Sequence, residues 1–213
     1  MMLQTNLLKC SASIICLAIA ASGLAQQKMV KKPNIIFIFT DQQSASMMSC
    51  TGNKYLHTPA MDYIAENGIR FTQAYTSNPV CTPARISLMT GRFCGAFSAK
   101  DGRQARGNEG AMTIPTISDE VKTTTIAAYL KKAGYDLFYG GKRHLPAPLD
   151  PAILGFKIIS NNERDELADE CAKYIKENHI KPYYLTVSLI NPHDICYMAL
   201  RDFAKTDQEK NGT

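Results

Sequence analysis

Residues 34–43 read NIIFIFTDQQ, a continuous apolar run that stops abruptly at Asp41, Gln42 and Gln43. An unbroken run of this length fits a strand buried on both faces, as in a parallel sheet, rather than a half-exposed strand that alternates. A second run, YYLTVSLI at 183–190, has the same character and ends at Asn191, Pro192 and His193. A third strand, YDLFY at 135–139, is broken by Gly140 and Gly141 and runs into Lys142, Arg143 and His144. Helical stretches fall between them. Thr58 and Pro59 open one as N-cap and first helical residue, and Gly68 ends it. The others cover 83–89 with a stop at Gly91, 123–133 with a stop at Gly134, and the charged amphipathic segment 162–178. A short strand is predicted at 71–75, and loops at 93–113 and 146–151. Strands alternating with helices predict an α/β domain with a mostly parallel sheet flanked by helices. Sites in such sheets form beyond the carboxyl ends of the strands. The polar clusters at Asp41–Gln42, Lys142–His144 and His193 all fall there.

The 213 residues suffice for one domain with a real core, and 45% hydrophobic with 20% charged residues is an ordinary globular balance. The formal charge of +5 is spread along the chain rather than clustered, which argues against a nucleic-acid partner. Lys9 is the only charge before residue 28, IICLAIAA at 14–21 is apolar, and Gly23, Leu24 and Ala25 offer small residues for cleavage before Gln26. Residues 1–25 therefore read as a signal peptide and 26–213 as the mature chain, periplasmic or secreted, with no stretch long enough for a stable membrane span. Removing the signal takes Cys10 and Cys16, leaving Cys50, Cys81, Cys94, Cys171 and Cys196. An odd number in an exported chain leaves at least one outside internal disulfides, and no CxxC pair supports a zinc site.

Cys81 stands out within PVCTPARISLMTG at 79–91. Pro83 marks a helix start, so Cys81 lies just ahead of a helix N-terminus, where unpaired N–H groups and the dipole favour an oxyanion or a lowered thiol pKa. Arg85 is placed to turn back toward the same end. On these grounds Cys81 is either a nucleophile or a structural cysteine.

The pattern Cys81-x-Pro83-x-Arg85, two variable residues, the apolar pair Leu88-Met89, then Thr90-Gly91 resembles the complete signature of the formylglycine-dependent sulfatases, of the alkaline-phosphatase-like superfamily. The resemblance implies that Cys81 is oxidised to formylglycine (3-oxoalanine) by a formylglycine-generating or anaerobic sulfatase-maturating enzyme. One hydroxyl of the hydrated aldehyde then attacks the sulfur of a sulfate ester, the alcohol leaves, and the second hydroxyl expels sulfate. GYDLFYGGKRH at 134–144 is similar to the second sulfatase signature. It implies Lys142 bridging formylglycine and sulfate, and His144 as general base. Leu137, Gly140 and Arg143 depart from it, Arg143 standing where an aromatic residue is usual. Asp41 and Gln42 match the family's early metal ligands, so one calcium ion is implied, held by Asp41, Gln42 and the modified Cys81. His193, in Asn-Pro-His, is implied to bind sulfate or protonate the leaving oxygen.

The likeness runs from about residue 34 to 193. Sulfatases of this family are much longer, so the chain is expected to be the N-terminal part of a catalytic domain, incomplete at its C-terminus and with half a metal shell. The expected reaction is hydrolysis of sulfate esters on glycans or aryl groups. The alternatives are phosphodiester or phosphonate monoester hydrolysis by the same superfamily, or an inactive remnant. His57 and His179 read as structural or surface residues, Arg103 and Arg106 as loop charges, and Asn211-Gly212-Thr213 as a weak glycosylation pattern.

Overall fold

The computed structural model describes residues 31–97 and 116–193. The signal segment, the loop carrying Arg103 and Arg106, Cys196 and Asn211 lie outside the described residues. The elements below all belong to the unit that begins at Pro33. Four strands, β1 (Ile35–Asp41), β2 (Asp136–Gly141), β3 (Lys157–Ser160) and β4 (Tyr183–Pro192), form one sheet in the order β1-β4-β2-β3. Every pairing is parallel. Ile35 lies opposite Tyr184, and Phe39 opposite Ser188. On the other side of β4, Asp136 lies opposite Tyr183, and Gly141 opposite Ser188. Ser188 therefore sits level with the carboxyl ends of both neighbouring strands.

The six α-helices among the described residues are α1 (Pro59–Asn67), α2 (Cys81–Thr90), α3 (Asp119–Thr123), α4 (Ile126–Lys132), α5 (Pro151–Leu154) and α6 (Leu167–Lys176). The strand period of two sorts the core into two layers. Leu137, Tyr139 and Tyr184 face one way and pack with Ile86 and Met89 of α2 and Ala127 of α4. Tyr183, Leu185 and Val187 face the other way and pack with Leu167 and Cys171 of α6.

The strand at 183–190 is buried from both sides as its sequence predicts. The strand at 34–40 is not. β1 ends the sheet, and Ile36 and Ile38 are 40% and 55% exposed, because the described residues cover only the face carrying Ile35 and Phe37.

Several boundaries move for local reasons. The helix predicted over 123–133 is two, because Thr125 interrupts it: its hydroxyl donates to the Lys122 carbonyl and accepts from the Ala128 N–H, capping α4. The helix predicted from 162 begins at Leu167, because the Asn162 side chain accepts from the N–H groups of Arg164 and Asp165 and holds a turn. Thr58 stands at the N-cap of α1, yet its hydroxyl turns away from the helix N–H groups to Ser49 and Asp62. Residues 71–75 are not a strand, and Phe71 and Tyr75 stand open to solvent. β3 is only four residues long and gave no periodic signal. The predicted loop 146–151 holds a 3₁₀ turn and the start of α5, capped by the Asp150 carboxylate.

Gly140 and Gly141 do not break β2; they belong to it. A Cβ on Gly140 would lie 2.7 Å from Leu167 Cδ1, so its absence lets α6 settle onto the strand. At Gly141 a Cβ would meet the Ser188 carbonyl oxygen at 2.2 Å, with φ at +88°. Backbone strain and overlap with an immovable carbonyl act together there. Gly141→Ala is expected to cost about 3 kcal/mol of stability, measured by urea denaturation.

Candidate active site

The site is built from the carboxyl ends of β1, β2 and β4 and the first turn of α2. Asp41 closes β1 and is buried, at 8% exposure. A carboxylate there needs compensation. It receives two cations on one oxygen: Arg85 Nη2 at 2.8 Å and Lys142 Nζ at 2.9 Å, both themselves buried. Burial pushes the Asp41 carboxyl upward, but the hydrogen bonds and charges of Lys142 and Arg85 outweigh it and hold it below the ordinary carboxylate range.

Arg85 is the hub of the cluster. It reaches from the second turn of α2 and donates through Nη1 to the Lys142 carbonyl and to Ser188 Oγ, each at 2.8 Å. Its guanidinium also lies 5.0 Å from the centre of the Phe39 ring. Lys142 is fixed at both ends of its backbone. Its N–H donates to the Ser188 carbonyl at 3.0 Å, and its carbonyl accepts from the Tyr139 hydroxyl at 2.7 Å as well as from Arg85. Tyr139 and Ser188 were missed as site residues. The signal for both was present, since each is a polar residue near the end of an otherwise apolar strand and so must find a partner.

Cys81 is the first residue of α2, one position inside the helix rather than ahead of it as predicted. Its N–H lies among the unpaired donors of the first turn. Together with Asp41, Gln42, Arg85 and His193 it lines an open cavity of about 690 Å³, walled by Phe37, Phe39 and Leu88. Gln42 adopts a left-handed backbone, φ 61°, immediately after the strand. His144 follows Lys142 with φ 42°. Burial lowers the His144 pKa first, and the positive charges of Lys142 and Arg85 lower it further against the opposing pull of Asp41. These surroundings favour the neutral ring.

The calcium site implied by the sequence resemblance does not fit the described residues as a complete shell. No group of three or more His, Cys, Asp or Glu side chains suited to a metal occurs among them. Among the described residues lining the cavity Asp41 is the one carboxylate, and one of its oxygens already carries two cations. The cluster of Asp41, Arg85 and Lys142 is net positive, which suits an anion. Cys50, Cys81, Cys94 and Cys171 are free thiols, so the described cysteines form no disulfide. His179 is structural: its ring bonds the Tyr174 carbonyl and packs between the Tyr174 and Tyr183 rings.

The parallel sheet bears the Cys-x-Pro-x-Arg helix at its carboxyl edge, and comparison with known proteins gives the family. The sulfatase family model matches residues 33–213, and the chain belongs to the sulfatase family. It is 37% identical over 170 residues to an ulvan-active sulfatase of Formosa agariphila, covering 76% of this chain and 31% of that protein. It is 33% identical over 145 residues to an N-acetylglucosamine-6-O-sulfatase of Bacteroides thetaiotaomicron, covering 66% of this chain and 24% of that one. The chain thus spans less than a third of the length of these relatives. A solved structure in complex with its substrate D-glucosamine-2-N,6-O-disulfate superposes with a TM-score of 0.57 at 25% identity, over 81% of this chain and 38% of that one. The phosphonate monoester hydrolase of Agrobacterium radiobacter shares the fold, with a TM-score of 0.53 at 17% identity over 76% of this chain and 41% of that one.

Asp41→Asn would leave two buried cations facing a neutral amide. Removing one partner of a buried ion cluster is expected to cost about 3 kcal/mol or more, seen as a fall in the urea midpoint. Ser188→Ala removes one acceptor and is expected to cost about 1 kcal/mol on the same scale.

Proposed function

We propose that this chain carries the nucleophile and the anion-binding half of a sulfuric ester hydrolase site, with Cys81 as the formylglycine precursor. The observation that supports this most strongly is the convergence of the signature helix with Asp41, Arg85 and His193 around one cavity, with Lys142 joined through the Asp41 carboxylate.

In this reading the maturation enzyme converts Cys81 to the aldehyde, which hydrates. A hydroxyl attacks sulfur and gives up its proton to solvent in the open cavity, the bond between sulfur and the ester oxygen breaks, and His193 gives the departing oxygen its proton. The sulfated hemiacetal then loses the proton of its second hydroxyl to His144, the C–O bond to sulfate breaks, and the aldehyde is restored. The lowered His144 pKa keeps that nitrogen available as a base. Lys142 and the first-turn N–H groups of α2 neutralise charge on the sulfuryl oxygens. Arg85, with its donors directed at Asp41, Lys142 and Ser188, sets the geometry of the others.

The names of the relatives favour a sulfated glycan as substrate. Residues 1–25 act as the export signal, and the protein works in the periplasm or outside the cell. Calcium is the family's metal, with Asp41, Gln42 and the formylglycine oxygens supplying part of the shell. With Asp41, Gln42 and the formylglycine as its ligands, calcium is expected to bind more weakly than about 1 mM by titration calorimetry. Submicromolar binding would overturn this view of the site.

The functional reading is tested in two steps. After co-expression with a formylglycine-generating enzyme, mass spectrometry of the Cys81 peptide should show aldehyde in place of thiol. The matured protein is then assayed on a sulfated monosaccharide, an aryl sulfate and a phosphate diester. Sulfate release abolished by Cys81→Ala supports the proposal. Preferential diester cleavage points to phosphoesterase chemistry, and an unmodified thiol points to an inactive remnant; either result overturns it.

A further inference from the structure

Arg143 occupies a position where the sulfatase signature usually has an aromatic residue, and the structure gives it a definite set of partners. Its Nη1 lies 3.3 Å from Asp150 Oδ2, and its Nη2 donates to Asn161 Oδ1. Asp150 is itself anchored, because its other oxygen accepts from the Ala152 N–H at the start of α5. Asn161 directly follows β3, the outer strand. One guanidinium thus ties the turn after β2 to two separate segments on the outer side of the sheet. A fork of fixed donors can span two acceptors in this way; an ammonium meets one at a time.

The neighbours of Arg143 explain what such a tie would hold. Lys142, before it, is drawn inward to Asp41, and its backbone is bonded at both N–H and carbonyl. His144, after it, has φ 42°, a left-handed conformation that costs a non-glycine residue about 1 kcal/mol or more and persists only where its surroundings enforce it. Lys142 holds the inner side of this turn. Arg143 is the side chain that holds the outer side.

We propose that Arg143 is a positioning residue that clamps the Lys142–His144 turn to Asp150 and Asn161 and so sets where the His144 imidazole stands. The catalytic consequence rests on the sulfatase reading above; the positioning does not. The guanidinium already meets a carboxylate and an amide oxygen, so it is not deployed toward a substrate anion. Arg143 and Asp150 are about a third and a quarter exposed, at 32% and 27%, and an ion pair so exposed contributes little to global stability. The clamp therefore acts on local geometry.

The test uses Arg143→Ala and Arg143→Lys. In the 213-residue chain, long-range ¹H–¹⁵N spectra report the four imidazoles individually, with His144 assigned by its loss in His144→Gln. Arg143→Ala is expected to move the His144 ring signals while His57 and His179 stay in place and the urea midpoint barely changes. Arg143→Lys is expected to recover part of the displacement. Unmoved His144 signals, or movement only alongside a general loss of stability, would sink the clamp. In protein matured at Cys81 and assayed on an aryl sulfate, Arg143→Ala is expected to lower kcat roughly 10- to 100-fold with KM within about twofold, as for a misplaced reacting group. A displaced His144 with unchanged kcat would overturn the catalytic role. Wild-type protein that carries the aldehyde yet turns over no sulfate ester would refute the sulfatase reading, and the imidazole spectra would still decide the clamp.

Discussion

Everything at the carboxyl edge of the sheet depends on one buried carboxylate shared by two cations. Asp41 is buried, so its charge is sustained by Arg85 and Lys142 at hydrogen-bond distance. The dependence runs both ways, because both cations are buried as well. Their mutual requirement sets the distance between β1, the signature helix and the end of β2. Arg85 extends the constraint to β4 through Ser188. The outcome is a small platform with a surplus positive charge, beside an open cavity lined by the Cys81 thiol.

Much of this was legible in the sequence because the physics behind it is local. Continuous apolar runs at 34–40 and 183–190 read as strands of a parallel sheet and are, and the polar residues that end them fall where α/β proteins place their sites. Cys81, Arg85, Asp41 and His193 come together as that logic requires. Lys142 joins them through the carboxylate. The readings that failed depended on contacts the sequence does not carry. Thr125 splits a helix because its hydroxyl finds both a carbonyl and an N–H within one turn, a choice that propensity alone does not decide. β1 is covered on one face because, among the described residues, packing partners reach only the side carrying Ile35 and Phe37, which its apolar run does not reveal.

The departures from the second signature have a common explanation in packing. Leu137 is buried against the layer made by α2 and α4, a place where a hydroxyl would need its own partner. Gly140 makes room for Leu167 on the opposite face, and Gly141 makes room for the Ser188 carbonyl. Arg143 exchanges an apolar contact for a fork of hydrogen bonds. Lys142 and His144, which match the signature, lie among these departures.

The pairing of β1 with β4 also bears on when the site can exist. Ile35 and Tyr184 are partners across nearly the whole folded chain, with β2 entering the sheet on the far side of β4. Contacts between residues so distant form late, after the chain has lost the entropy of closing a very long loop. β4 brings Ser188 to both Arg85 and Lys142, so no shorter, locally folded piece assembles the complete platform. Until that last strand is in register, Cys81 belongs to a segment whose charged partners are still in water, and its chemical surroundings are those of an ordinary peptide.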